Sequence, residues 1–206
     1  MKGRFFIAVS LLASSVSCAV AADYISAPVQ PPAIQAASWV LMDYTTGQVL
    51  TAGNEHQQRN PASLTKLMTG YVVDRAIDSH RITGDDMVTV GRDAWAKGNP
   101  VFDGSSLMFL KAGDRLSVHD LSRGLIVDSG NDACVALADY VAGGQPQFVK
   151  MMNDYVSKLG LKDTHFETVH VLMRQDSTVQ PSTWRCYPGR LFMASLTSII
   201  CIARRA

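Results

Sequence analysis

The stretch from Asn60 to Val72 constrains this chain most. Asn60 and Pro61 are followed by Leu64, Leu67, Met68, Tyr71 and Val72 at i, i+3, i+4, i+7 and i+8. Asparagine is a good N-cap, and proline suits the first helical position, where a missing N–H costs nothing. The apolar spacing is that of one helical face packed on a core. A helix starting at Asn60 and Pro61 is therefore predicted, with Ser63 and Lys66 beside its apolar face, about 60° apart around the axis and one turn along it. A serine hydroxyl is a poor nucleophile at its own pKa, and a lysine within reach can act as its base if burial or positive neighbours lower the amine's pKa. The positive end of the helix also favours negative charge developing at Ser63. Acyl transfer is the chemistry this pattern suggests. A bare Ser-x-x-Lys nevertheless arises roughly once by chance in a chain of this length, so a second motif is needed.

Ser117 and Asp120 form a capping-box-like start to a helix through Val118, Leu121, Leu125 and Ile126. That helix runs into Asp128-Ser129-Gly130-Asn131, where Gly130 is expected to turn the chain so that Ser129 and Asn131 present a hydroxyl and an amide to one cleft. The next helix is predicted from near Asn131 to Gly143-Gly144. Pro61-Ala62-Ser63-Leu64-Thr65-Lys66 together with Ser129-Gly130-Asn131 resembles the serine penicillin-recognising enzymes, in particular the low-molecular-mass penicillin-binding proteins that are D-alanyl-D-alanine carboxypeptidases. The segments Ser38 to Gly47, Gly124 to Val127 and Leu159 to Phe166 are similar to that family as well, so the resemblance covers about Ala36 to His170.

The resemblance implies a role for each motif residue. Ser63 would be the acyl-enzyme nucleophile, Lys66 its general base, Ser129 a proton relay to the leaving group and Asn131 a hydrogen-bond partner of the substrate backbone. The substrate would be a peptidoglycan pentapeptide losing its terminal D-alanine, and beta-lactam antibiotics would acylate the same serine. The family uses no cofactor or metal, and the chain has no His-Glu-x-x-His or paired Cys-x-x-Cys spacing. Class A beta-lactamases, an alternative, prefer Ser-Asp-Asn as the second motif and rely on a deacylating glutamate that has no candidate here. The implied fold is α/β (α+β), an antiparallel sheet covered by helices.

Lys2 and Arg4, the apolar run Phe5 to Leu12 and the small residues Ala19-Val20-Ala21 read as an export signal over 1–21, cleaved near Ala21, which implies a periplasmic protein. A Pro- and Ala-rich lead-in over 22–35 precedes the peptidase-like part, 36–172. Within it, Trp39 to Asp43 and Gln48 to Thr51 read as a hairpin. Phe148, Met151, Met152, Tyr155, Val156 and Leu159 mark a helix between Pro146 and Gly160. A hydrophobic content of 47% allows one sizeable domain, and a net charge of +1 gives no reason to invoke nucleic acid. The histidines form no ligand set and read as solvated or core imidazoles.

The family's third motif, Lys-Thr-Gly on a strand across the cleft, does not occur in the 206 residues. From Met173 to Ala206 the chain has five Arg, one acidic residue (Asp176), no Lys, no Glu and two of the four cysteines. That stretch, 173–206, reads as a tail unrelated to the family and translated out of frame from near Leu172, so the C-terminal part of the domain and the family's membrane-surface anchor are expected to be missing. A non-catalytic fragment or beta-lactam-binding remnant is the second functional expectation.

Overall fold

The structure is a computed structural model, describing residues 33–43 and 47–170 and the backbone of 199–202. The predicted export signal, most of the lead-in and nearly all of the 173–206 tail lie outside the described residues. Contacts divide the chain after Ala33, and the unit 34–206 holds every element below.

The predicted hairpin forms between β1 (Trp39–Asp43) and β2 (Val49–Gly53), antiparallel and with Trp39 opposite Gly53. A side chain on Gly53 would run into the Trp39 indole, so a glycine opposite the tryptophan leaves room for the ring. Residues alternate across β1, and Val40 and Met42 are the buried ones. A further strand, β5 (Ile199–Ile202), adds to the free edge of β1 in parallel, giving the order β2-β1-β5. The antiparallel pairing expected from sequence thus describes β1–β2 and the small pair β3 (Met87–Thr89) with β4 (Arg115–Ser117), whereas β5 is a parallel addition.

Four helices make the core: α1 (Thr65–Asp78), α2 (Val118–Val127), α3 (Asn131–Ala142) and α4 (Gln145–Leu159). Every residue of α3 from Asn131 to Ala138 is buried, because α1, α2 and α4 all pack on it. A helix apolar all round is stable only in such a central position. Ser117 caps α2, its hydroxyl accepting the Asp120 N–H at 3.0 Å. Gly143 and Gly160, at φ 75° and 68°, end α3 and α4 in the left-handed conformation that glycine adopts without strain. Tyr71 of α1 meets Tyr155 of α4 edge to face at 5.3 Å, and Phe148 and Met152 are fully buried, as the α4 spacing predicts.

Two local expectations are corrected. The α-helix starts at Thr65, four residues later than predicted, because Ala62–Leu64 first forms a single 3-10 turn in which the Asn60 side chain accepts the Ala62 N–H at 2.9 Å. Ile126, expected on the apolar face of α2, is 58% exposed, because the helix turns this last-turn position away from the core.

Candidate active site

Ser63 sits in the 3-10 turn ahead of α1, immediately after Ala62, whose φ of 47° is unusual for a residue with a Cβ. Ser129 lies between α2 and α3 and itself has φ 53°. Its hydroxyl donates to the Ser63 hydroxyl oxygen at 3.2 Å, so the fold brings together two serines 66 residues apart. Backbone strain at Ser129 itself and at Ala62, next to Ser63, is the kind that surroundings must enforce. Gly130 has φ −66°, an ordinary extended value; the turn expected of it is made by Ser129. Space is tight at 130: a Cβ there would lie 3.0 Å from Asp132 Oδ1 and 3.2 Å from the Met108 nitrogen, so these neighbours would have to give way.

Lys66, in the first turn of α1, is only 4% exposed. It belongs to the buried side of the helix rather than to its margin. Burial lowers its pKa from the ordinary lysine value by penalising the ammonium form. The Cys134 thiol of α3 lies near it and would oppose that shift as a thiolate, but burial pushes this thiol up to about 12. Below that pH Cys134 is neutral, hydrogen-bonded to Gly130 O at 3.2 Å, and burial alone acts on Lys66. The amine is thereby biased toward the free-base form that can accept the Ser63 proton. Asn131, first residue of α3, is 2% exposed and sits two residues from Ser129.

One residue that sequence reasoning left among the unassigned histidines belongs to this environment. Thr69, one turn beyond Lys66, donates to Val169 O at 2.7 Å, which brings His170 against α1. His170 is 3% exposed, with its ring 5.8 Å from that of Phe102. Burial, and then the Lys66 charge, drop its pKa from 6.5 to about 4. The imidazole is neutral at physiological pH and puts no second charge beside Lys66. No periodicity could have signalled this, since the contact spans 104 residues of sequence.

The arrangement holds the Ser63 hydroxyl, a desolvated amine three residues further along the chain and a second hydroxyl in hydrogen-bond contact with the first. Similar proteins carry the same chemistry in their names. Residues 25–197 match the family described as D-alanyl-D-alanine carboxypeptidase, peptidase family S11. The D-alanyl-D-alanine carboxypeptidase DacD of Salmonella typhimurium is 81% identical over 172 residues, 84% of this chain and 44% of the relative. DacD of Escherichia coli K12 is 78% identical over the same shares. Among solved structures, penicillin binding protein 6B from Escherichia coli matches with a TM-score of 0.73 at 78% identity, over 77% of this chain and 50% of that one. Penicillin binding protein 5 from Haemophilus influenzae matches with a TM-score of 0.71 at 48% identity, over 75% and 44%. The chain thus spans less than half the length of the DacD relatives it matches. By the extent of the family match and by these identities, it belongs to the D-alanyl-D-alanine carboxypeptidase family, peptidase family S11.

Proposed function

We propose that this protein is a serine D-alanyl-D-alanine carboxypeptidase in which Ser63 forms the acyl-enzyme, Lys66 takes its proton, Ser129 relays a proton to the departing D-alanine and Asn131 holds the substrate backbone. The observation that carries the reading is the 3.2 Å hydrogen bond from Ser129 to Ser63, beside a lysine whose burial lowers its pKa. Attack on the penultimate D-alanine carbonyl of a peptidoglycan pentapeptide releases the terminal D-alanine, and water then hydrolyses the Ser63 ester. A beta-lactam presents a similar carbonyl and acylates the same oxygen. Lys2, Arg4, the apolar run after them and Ala19-Val20-Ala21 support export to the periplasm, where that substrate lies.

A fluorescent penicillin tests the reading. A covalent label on the folded protein is expected, absent in Ser63→Ala and slowed about 10²- to 10⁴-fold in Lys66→Ala, the span of a lost general base. No label on folded wild-type protein would reject it.

A second reading is a beta-lactam-binding remnant that is acylated without efficient turnover. A label that persists without release of D-alanine from a pentapeptide would select it. We also propose that residues 173–206 derive from a shifted reading frame. Their composition supports this, although the family match itself runs to residue 197. The nucleotide sequence around codon 172 decides the point: an uninterrupted frame with no Lys-Thr-Gly codons in either shifted frame would end the proposal.

A further inference from the structure

The N-terminus of α3 is bonded in both directions to the segment 106–110. The Asn131 N–H, one of the donors that a helix start leaves without an intrahelical partner, donates to Ser106 O at 2.9 Å. In return, the Asp132 carboxylate accepts the Met108 N–H at Oδ1 and the Leu110 N–H at Oδ2, each at 2.9 Å. Its Oδ1 also accepts the Ala133 N–H at 2.9 Å. Phe109, between the two outer donors, has φ 61°. That left-handed conformation aims two N–H groups, two residues apart, at one anion, the concavity known as a nest. Phenylalanine has no preference of its own for this region. The seated carboxylate is what favours it, and the phenyl ring is turned outward: Phe109 is 66% exposed while Asp132 is 0% exposed. The segment therefore lies directly on the Ser-Gly-Asn turn, close enough that a Cβ at position 130 would meet the Met108 nitrogen at 3.2 Å.

We propose that Asp132 is a positioning residue for Asn131 and Ser129. The inference rests on the acyl-transfer reading of Ser63. Asn131 adjoins Asp132, and Ser129 lies three residues before it in a strained conformation that needs support from outside the turn. Asp132 provides that support from one side by fixing the start of α3 to residues 106–110, and the bond to Ser63 meets the turn from the other. The carboxylate touches neither Ser63 nor Lys66 in the hydrogen-bond network, so its influence on acylation passes through the two motif residues.

Two measurements on the full chain test this. The first compares acylation rates with a fluorescent penicillin for wild type, Asp132→Asn, Asn131→Ala and the double variant. Asp132→Asn keeps the shape but turns one acceptor into a donor facing a backbone N–H. A slowing of about 10- to 100-fold is expected from a displacement near 1 Å, with the loss in the double variant smaller than the product of the two single losses, because part of the Asp132 effect passes through Asn131. Additive losses in the double variant would mean that Asp132 only stabilises the fold, and would overturn the proposal. The second is amide hydrogen exchange of the wild-type protein. The Met108, Leu110 and Asn131 amides are expected to open as one unit, and independent exchange of Asn131 would overturn the proposal even if no variant folded. Wild-type protein that takes no label would count against the acyl-transfer reading alone, and exchange would still decide the role of Asp132.

Discussion

Lys66 and His170 are both buried, and burial disfavours the charged form of each. His170 has its pKa dropped from 6.5 to about 4, by burial first and then by the Lys66 charge. Between pH 4 and 6.5 the unfolded state binds more protons at this residue than the folded state does, so stability rises with pH across that window. The shift corresponds to about 3 kcal/mol. Asp139 of α3 works in the opposite sense. Burial and its hydrogen bond to Asp93 raise its pKa from 3.8 to about 7, so the folded state binds more protons between those values and stability falls as pH rises through them. The two slopes overlap and offset one another. His170→Gln is expected to gain stability relative to wild type at pH 5 compared with pH 7.5, and Asp139→Asn to gain at pH 7.5 compared with pH 5, read from urea midpoints. Variants whose stability differs from wild type by the same amount at both pH values would show that these two groups are not the titrating pair.

At the scale of elements, the glycines at the two ends of α3 do different jobs, and substituting each by alanine separates them. Gly143 ends α3 at φ 75° with nothing within 4 Å of a Cβ, so Gly143→Ala costs backbone strain of about 1–2 kcal/mol and leaves acylation by penicillin unchanged. Gly130 has an unstrained backbone but a crowded Cβ position. Gly130→Ala is expected to push residues 106–110 away from α3 and slow acylation, out of proportion to its effect on melting temperature. Equal acylation rates in the two variants would remove the distinction. The hairpin, α2, α3 and α4 were legible in the sequence because their signals are local: alternating strand residues, Ser117 at a cap, Pro146 at a helix start, Gly143 and Gly160 at helix ends; β2 nevertheless runs to Gly53, two residues past its expected end. The later start of α1 was not legible, since a 3-10 turn and an α-helix share the Asn-Pro signal. Nor was the Asp132 nest, because its donors lie 22 and 24 residues away in a segment with no regular period. Ser63, Lys66, Ser129 and Asn131 could be named as motif residues, whereas the contact between the two serines and the approach of His170 depend on long-range packing.

For the molecule as a whole, the question is what keeps β1 in a sheet. The helical core closes by His170: Phe166 and Val169 are fully buried, and Asn153 of α4 exchanges hydrogen bonds with the Phe166 backbone at 2.8 and 3.0 Å. β1 depends on more than that core, because β2 covers one of its edges and β5 the other, through four residues from the compositionally distinct tail. A parallel pair is slightly weaker per residue than an antiparallel one, yet an exposed strand edge is a template for pairing with another chain. A chain shortened to end at His170 is therefore expected to keep α1 to α4, with near-native helical circular dichroism, while the β1 amides that face β5 exchange rapidly and the protein self-associates on size exclusion. A shortened chain that stays monomeric with those amides protected would mean that β5 is dispensable. The sheet would then owe its order to the β1–β2 hairpin.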